Sequence, residues 1–458
     1  MALSRVPLPL VLVVIAAVCA GGLQAQERTA AATPPMGWNS WDSYAESVKE
    51  GDIRANAEWM AKNLKAYGWE YVIVDMGWYV TNHSAGISAQ NAQFSMDQYG
   101  RYTPAENSYG SAVHGAGFRP LADYVHGLGL KFGIHILRGI PKEAVEKNLA
   151  IQGSEFHARD AADTSDTCLW NPYNYGVDTK KAAGQAYYDS LARQYAEWQV
   201  DYVKVDCIAS HPYKGDEIRS LSEALKKSGR PMVLSLSPGP APIEKAEEMG
   251  QYANLWRISN DEWDVWQSNE EFPQGINNQF ERVAQWAPHV RPGNWPDADM
   301  LAIGQLGPTP GWGEPRMTRL TEDEQRTLLT LWAMFRSPLM MGGNLTQCDE
   351  WTKSLLTNAE VIAVDQHSKG NRSVETTVKA AVWAAEREGG DGYYVAVFNR
   401  LETPQSLHYE WKQLGLNARA YSLRDLWEHK DAGRETSLDV KLPAHASVLY
   451  FAQADGKR

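Results

Sequence analysis

The chain has 458 residues, of which 43% are hydrophobic and 22% charged, values that fit a globular protein with one large and one smaller domain. Its formal net charge of −12 argues against a nucleic-acid partner, because phosphate binding needs concentrated lysine and arginine. The 18 tryptophans and 21 tyrosines outnumber the 9 phenylalanines, which fits either a large core with hydrogen-bonded aromatics or aromatic platforms for sugar rings.

The first 25 residues are predicted to be an export signal. Arg5 gives the positive start, "PLVLVVIAAVCA" the apolar centre, and "LQA" a cleavage site after Ala25. About a dozen apolar residues are too few for a membrane-spanning helix. Cys19 is the alternative, a lipid-anchored cysteine, but "AAVC" lacks the usual leucine three residues earlier. We therefore expect a secreted or periplasmic protein that has no membrane partner once the signal is removed.

Three cysteines remain in the mature chain: Cys168, Cys207 and Cys348. In an oxidising compartment the simplest arrangement is one disulfide and one free thiol. Their spacing matches no zinc-binding pattern, so we predict no metal and no other cofactor.

Short β-branched runs alternate with longer amphipathic runs from about residue 34 to 366. This alternation predicts an α/β fold with a parallel sheet, and about eight units fit a (β/α)8 barrel over residues 26–368. A doubly wound open sheet is the alternative, but no GxGxxG motif follows any of the strands. Predicted strands include 71–78, 131–137, 201–207, 231–238 and 254–259, and predicted helices include 51–67, 177–199, 215–228, 243–252 and 322–336.

The connections differ in length at the two ends of this predicted barrel. Helix-to-strand connections are short, whereas the strand-to-helix connections 79–118 and 138–176 are long. In a barrel the long connections all lie at the carboxyl-terminal end of the strands, where active sites are built. After about residue 370 only short runs separated by turn residues occur, which predicts a C-terminal antiparallel β-sandwich over residues 369–458.

Charged residues follow four predicted strand ends: Asp75, Lys204 with Asp206, Arg257 with Asp261, and Asp297 with Asp299. Each has a structural alternative, such as a helix N-cap at Asp261, a solvated loop at Asp297 and Asp299, or an ion pair between Lys204 and Asp206. Their convergence at one end of a barrel favours an active site. Six tryptophans lie near them in sequence: Trp38, Trp41, Trp78, Trp170, Trp256 and Trp295.

Carboxylates and indoles in an exported barrel suggest glycoside hydrolysis by two carboxyl groups. In "DYVKVDC" (201–207), strand alternation places Lys204 and Asp206 on the inner face. Lys204 would favour the ionised form of Asp206, and the charge of Asp206 would make Asp261 hold its proton longer. Two other classes stay open: a glycan-binding barrel without catalysis, and a barrel enzyme that uses Asp297 and Asp299 as metal ligands.

Six segments together resemble glycoside hydrolase family 27, the α-galactosidase (melibiase) family. They are "TPPMGWNSWDSY", "YVIVDMGW", "DYVKVDC", "WRISNDEWDVW", "GNWPDADMLAIG" and "LWAMFRSPLMMGGNL", in order over nearly the whole mature chain. The resemblance implies a barrel followed by a β-sandwich, a carbohydrate substrate and a retaining, exo-acting double displacement. It implies α-galactosidase activity, with α-N-acetylgalactosaminidase, β-L-arabinopyranosidase and isomalto-dextranase as family alternatives.

The resemblance also implies roles for individual residues. Asp206 matches the nucleophile and Asp261 the acid/base. Cys207 matches a cysteine that is disulfide-bonded to a loop cysteine, for which Cys168 is the candidate. The positions assigned to sugar binding are Trp41, Asp75, Lys204, Arg257, His135, Ser237 and Met300.

Three positions depart from the α-galactosidase pattern. Met76 stands where the family has a second aspartate, which removes one acceptor for the O4/O6 edge of the sugar. Ser237 falls where α-galactosidases carry a glutamate and α-N-acetylgalactosaminidases a serine, and His135 falls where a tyrosine is usual. A sugar without the C6 hydroxymethyl group would be less affected by Met76 than galactose would.

Overall fold

The computed structural model describes residues 30–82, 91–307 and 314–454, so the predicted export signal lies outside the described residues. Eight parallel strands form a barrel with the spatial order 7-6-5-4-3-2-1-8. A parallel bridge between Leu301 and Met341 joins the segment after the seventh strand to the eighth strand. In chain order the strands are Met36–Asn39, Tyr71–Val74, Lys131–Leu137, Tyr202–Asp206, Val233–Leu236, Leu255–Arg257, Trp295–Asp297 and Leu339–Met341.

Helices follow each barrel strand and pack around the barrel. The helix Gly215–Lys227 shows why they do so, because Ile218, Leu221 and Leu225 recur at helical spacing on its buried side. It has acidic residues in its first turn and lysines in its last, as the helix dipole favours. The helices are Trp41–Tyr44, Glu50–Asn63, Arg119–Gly127, Lys142–Glu146, Ala158–Ala161, Ala182–Glu197, Gly215–Lys227, Ala246–Tyr252, Ile276–Trp286, Glu322–Phe335, Glu350–Leu356 and Ala359–His367.

The fourth barrel strand alternates as its sequence predicts. Val203 and Val205 are fully buried in the layer between the barrel and its helices. Tyr202 belongs to the separate core inside the barrel, so Lys204 and Asp206 share that inward face. The alternation therefore places two charged side chains inside the barrel, at the carboxyl-terminal end of this strand.

The connection 138–176 is more ordered than its sequence suggests. Where only a loop is predicted, three short antiparallel strands form a small sheet: Ile140–Pro141, Ala162–Thr167 and Asn174–Val177. Ala162–Thr167, an edge strand with the sequence "ADTSDT", is largely polar and exposed, so it lacks the apolar alternation that marks a strand.

The C-terminal region consists of antiparallel strands in one six-stranded and one two-stranded sheet, which confirms the predicted fold class of a barrel followed by a β-sandwich. Exposed, polar strands such as Lys430–Glu435 carry no apolar signal and escape prediction. Within the described ranges, no helix has the length and apolar content needed to cross a membrane. The strands are Ser368–Thr376, Ala380–Arg387, Tyr393–Asn399, Gln405–Tyr409, Tyr421–Asp425, Lys430–Glu435, Leu438–Leu442 and Ser447–Ala454.

Candidate active site

A cavity of about 600 Å³ opens at the carboxyl-terminal ends of the barrel strands. The structure brings eight of the nine predicted catalytic and sugar-binding residues into its wall: Trp41, Asp75, His135, Lys204, Asp206, Ser237, Asp261 and Met300. Arg257, the ninth, is buried and is not a wall residue. Because these side chains come from seven different strand ends, only the closed barrel assembles them.

Lys204 forms its ion pair with Asp75, so the structural alternative of an ion pair between Lys204 and Asp206 is wrong. Lys204 Nζ lies 2.9 Å from Asp75 Oδ2, which also accepts a hydrogen bond from Asn39 at 2.8 Å. Side chains two apart on a strand start almost 7 Å from each other, so a neighbouring strand supplies the closer partner. Burial acts to raise the pKa of Asp75, but Lys204, His135 and the Met76 backbone N–H lower it well below 3.8.

Asp206 is the inward carboxylate at the end of the fourth strand. Its Oδ1 accepts the Cys207 backbone N–H at 2.8 Å, and its Oδ2 accepts the Trp170 indole N–H at 3.3 Å. Nε2 of His135 lies 3.7 Å from the same Oδ2. Burial acts to raise the pKa of Asp206, but His135, Lys204 and the Cys207 N–H together lower it below 3.8. Asp206 is therefore held ionised in the wall of the cavity.

Asp261 lies at the end of the sixth strand with 36% of its side chain exposed. Its Oδ1 accepts a hydrogen bond from Arg257 Nη2 at 3.2 Å. The same Nη2 lies 2.7 Å from Asp299 Oδ2, and Asp299 also accepts the Glu262 backbone N–H at 2.8 Å. Arg257 thus contacts Asp261 from behind the cavity wall and fixes the position of that carboxyl. The expectation that Asp206 makes Asp261 hold its proton stays a prediction.

Asp297 and Asp299 do not form a solvated loop. They are 7% and 2% exposed, and burial raises the pKa of both, with Arg257 opposing the rise. The ion pair between Asp299 and Arg257 already uses one of the two carboxylates proposed as metal ligands. In the part of the chain that the structure describes, no three histidine, cysteine or acidic side chains cluster as metal ligands would.

The tryptophans near the predicted site divide into two groups. Trp41 and Trp170 line the cavity. The other four are at most 1% exposed and belong to the packed core: Trp38, Trp78, Trp256 and Trp295. For most of the six, therefore, the core interpretation of the aromatic composition is correct.

Sequence reasoning gave no site role to several other wall residues. Asn171 donates a hydrogen bond from Nδ2 to the Sδ of Met76 at 3.5 Å. Leu169 and Phe272 lie in connections where no periodicity marks a functional residue. The cavity wall also includes Glu46, Pro172, Tyr173, His211, Pro238, Asn260 and Glu271.

A disulfide joins Cys168 to Cys207, as the family resemblance implied. It ties the connection 138–176 to the residue that follows Asp206. Cys348 is a free thiol in the described chain, and burial raises its pKa to about 12. The predicted arithmetic of one disulfide and one free thiol is thereby confirmed for these three cysteines.

Comparisons with known proteins agree with this geometry. The family model described as alpha galactosidase A matches residues 174–367, and the model of the alpha galactosidase C-terminal β-sandwich domain matches residues 377–452. An α-galactosidase from Coffea arabica is 30% identical over 426 residues, which cover 91% of this chain and 93% of that protein.

Two solved structures are more similar in sequence. A family 27 β-L-arabinopyranosidase from Geobacillus stearothermophilus is 46% identical with a TM-score of 0.90, over 94% of this chain and 99% of the other. A protein from Bacillus halodurans, provisionally named an α-N-acetylgalactosaminidase, is 43% identical with a TM-score of 0.82, over 93% and 98% of the two chains. The chain therefore belongs to glycoside hydrolase family 27, the α-galactosidase (melibiase) family.

Proposed function

We propose that the protein is a retaining, exo-acting glycosidase that releases terminal β-L-arabinopyranosyl units. β-L-Arabinopyranose has the ring configuration of α-D-galactopyranose and lacks only the C6 hydroxymethyl group. The proposal thus keeps the ring chemistry that the family resemblance implies and changes one substituent of the sugar.

Met76 is the observation that carries the choice of sugar. It lines the cavity directly after Asp75, where the family has a second aspartate, and its Sδ contacts the side-chain amide of Asn171. A thioether is a weak hydrogen-bond acceptor, so a hydroxymethyl group against it would lose water without gaining a strong partner. The similar Geobacillus stearothermophilus enzyme, a variant of which is known in complex with arabinose, supports the same sugar.

The cavity floor supports recognition of the remaining ring hydroxyls. Asp75, His135 and Ser237 are each at most 3% exposed, and Lys204 lies beside Asp75. Charged donors and acceptors in a water-poor floor bind neutral hydroxyls strongly, because each makes a charge-assisted hydrogen bond. Trp41 adds an indole face to the same wall.

Double displacement assigns one role to each carboxyl group. Asp206, held ionised by its surroundings, attacks the anomeric carbon while Asp261 gives a proton to the leaving oxygen. Asp261 then removes a proton from water, which hydrolyses the glycosyl–enzyme bond at Asp206 with net retention. Arg257 pairs with Asp261 from behind the cavity wall and orients it for both steps.

α-D-Galactoside hydrolysis is the second candidate, favoured by the Coffea arabica relative and by the Asp75–Lys204 pair that the family resemblance assigns to the same ring. A panel of p-nitrophenyl glycosides separates the two: β-L-arabinopyranoside, α-D-galactoside, α-N-acetylgalactosaminide and α-D-glucoside, with dextran assayed for isomaltose release. We expect the highest kcat/KM on the arabinopyranoside, with retention of configuration in the NMR spectrum of the first-formed sugar. A higher kcat/KM on the galactoside would replace the first candidate by the second.

Met76 variants test the physical reason for the preference. Met76→Asp should move the ratio of kcat/KM values toward the galactoside by about 10- to 100-fold, the equivalent of one charge-assisted hydrogen bond. Met76→Leu keeps an apolar side chain of similar size and is the matched control, with an expected change of less than about threefold. Equal shifts in both variants would show that Met76 does not select the sugar.

A further inference from the structure

We propose that the mouth of the cavity is a binding site for a flat, apolar leaving group, such as the aromatic ring of an aryl or arylalkyl glycoside. The proposal rests on the exo-acting hydrolysis argued above and adds the class of group on the other side of the scissile bond. It concerns Leu169, Trp170 and Phe272, which are called here the rim.

Exposure separates the rim from the floor of the cavity. Asp75, His135 and Met300 are 2–5% exposed, whereas Leu169, Trp170 and Phe272 are 79%, 44% and 40% exposed. The floor carries Asp75, His135 and Lys204, whereas the rim presents large apolar side chains to solvent beside the exposed carboxylate of Glu271. Soluble proteins rarely group such side chains on the surface unless a ligand covers them.

The grouping at the rim is not a general property of this surface. Eight large apolar side chains are exposed over the described ranges 30–82, 91–307 and 314–454, and three of them form the rim. The other five do not line the cavity: Tyr67, Val113, Ile243, Met317 and Val378. Single exposed apolar residues are ordinary, so the cluster at the cavity mouth is the feature that indicates binding.

Two contacts place the rim beside the reacting bond. The Trp170 indole N–H lies 3.3 Å from Asp206 Oδ2. Phe272 precedes by two residues Gln274, whose backbone N–H donates to the Asp261 carbonyl at 2.8 Å. With the sugar ring on the buried floor, the leaving group must project outward past both carboxyl groups and therefore between these side chains.

The rim is also held in place on the Trp170 side. Leu169 and Trp170 directly follow Cys168, which is bonded to Cys207 next to the nucleophile. His211 stands edge-on to Trp170, with ring centroids 6.2 Å apart and planes at 87°. An aromatic surface fixed before binding favours a flat apolar group, because little conformational freedom is lost on contact.

The test compares benzyl and methyl glycosides of one sugar, whose leaving alcohols are nearly equally acidic. The double variant Leu169→Ser/Phe272→Ala should lower kcat/KM on the benzyl glycoside about tenfold and change the methyl glycoside less than about twofold. Trp170 is left unchanged because its indole touches the nucleophile. Val378→Ser is the matched control, because Val378 lies in the β-sandwich and is as exposed as Leu169. It should change kcat/KM on neither glycoside.

Hydrolysis of the glycosyl–enzyme intermediate gives a second readout. The leaving group has departed by then, so the rate of this step should be the same in the double variant and the wild type. An equal loss on both glycosides, or no loss on either, would overturn the proposal. A larger loss on a disaccharide than on the benzyl glycoside would assign the rim to a second sugar ring and also overturn it. Running both aglycones on the arabinopyranoside and the galactoside keeps the two proposals apart, because sugar preference and leaving-group preference are separate ratios.

Discussion

Two buried ionic clusters lie against the end of the fourth barrel strand and differ in how many of their polar atoms the protein itself satisfies. The first, the cavity cluster, consists of Asp75, His135, Lys204 and Asp206, all of which line the cavity. Within the described residues, His135 Nδ1 is buried without a hydrogen-bond partner. A ligand in the cavity cannot reach that buried atom. The Lys204 ammonium lines the cavity and has three donors, of which Asp75 accepts one, so it keeps hydrogen-bonding capacity for a ligand.

The second, the anchor cluster, consists of Arg138, Asp166, Lys214 and Glu217. Arg138 donates from Nε to the Cys207 carbonyl at 2.7 Å and from its two Nη atoms to Asp166 and Glu217 at 2.9–3.0 Å. Lys214 adds a contact of 2.8 Å to Asp166. None of the four lines the cavity.

The comparison shows that burial and charge alone do not identify a functional site. Both clusters hold several ionised groups close to the nucleophile. In the anchor cluster, the guanidinium of Arg138 donates its hydrogen bonds to protein acceptors and so fixes one backbone arrangement. In the cavity cluster, the charged side chains line the cavity, where a ligand can contact them. Unused hydrogen-bonding capacity next to a cavity is the property that separates a candidate site from a structural ion pair.

The largest expected effect is the loss of turnover when the proposed nucleophile of the cavity cluster, Asp206, is replaced. Asp206→Asn replaces the attacking carboxylate with an amide of the same shape, so kcat should fall by about 10,000-fold or more while the melting temperature stays within a few degrees. Asp166→Asn in the anchor cluster is the matched control. It should lower thermal stability and leave kcat within about threefold. Near wild-type turnover of the Asp206 variant would refute the assignment.

The second prediction concerns the stability lost when Arg138 of the anchor cluster is replaced. Arg138→Met leaves two carboxyl groups without their guanidinium partner, so the free energy of unfolding should fall by about 3–5 kcal/mol. Arg119→Met is the control, because the Arg119–Asp123 pair is about half exposed on both sides and should be worth less than about 1 kcal/mol. Urea unfolding followed by fluorescence measures both values. Equal midpoints for the two variants would mean that the anchor cluster does not stabilise the fold.

Local patterns in the sequence were sufficient for the barrel and for the carboxyl groups at its strand ends. Strand alternation places Asp206 inside, and Asp261 follows the sixth strand, so both are visible without a structure. The expectation that Lys204 favours the ionised form of Asp206 is confirmed, but its ion-pair partner could not be predicted, because Asp75 is 129 residues away in sequence and only the barrel closes that distance. Local pattern cannot choose between two possible carboxylates.

Leu169 and Phe272 of the rim and the residues of the anchor cluster were not predictable in the same way, although Trp170 was. Leu169 and Phe272 lie in irregular connections, where an apolar residue has no periodic neighbours to indicate which way it faces. Arg138 follows the third strand directly, and its sequence context resembles the start of a polar loop. Its role appears only when Asp166 and Glu217, from two other parts of the chain, fold against it.

The third prediction concerns removal of the Cys168–Cys207 disulfide, which lies between the two clusters. The disulfide closes a loop of 39 residues, so Cys168→Ser/Cys207→Ser should lower the free energy of unfolding by about 2–4 kcal/mol. The wild type should lose a similar amount in a thiol reductant, and Cys348→Ser should lose little because Cys348 is unbonded. A reductant effect that persists in the double variant would have another cause.

The smallest effect concerns pH, and it has opposite signs in the two clusters. The lowered pKa of Asp75 means that its stabilising contribution is present above pH 3.8 and is lost as the pH falls. Burial raises the pKa of Glu217 despite Arg138 and the Tyr188 hydroxyl, so its contribution is present below pH 4.5 and is lost as the pH rises.

Stability measured between pH 3 and 7 for the wild type, Asp75→Asn and Glu217→Gln separates the two signs. The difference in free energy of unfolding between the wild type and Asp75→Asn should shrink toward low pH, because the carboxyl of the unfolded chain takes up a proton while the folded carboxyl, whose pKa is well below 3.8, is still ionised. The difference in free energy of unfolding between the wild type and Glu217→Gln should shrink toward high pH. The Glu217 carboxyl of the unfolded chain then ionises freely, whereas burial opposes its ionisation in the folded protein. Each slope is at most about 1.4 kcal/mol per pH unit. Two slopes of the same sign would show that the carboxyl groups of both clusters are charged alike in the folded protein.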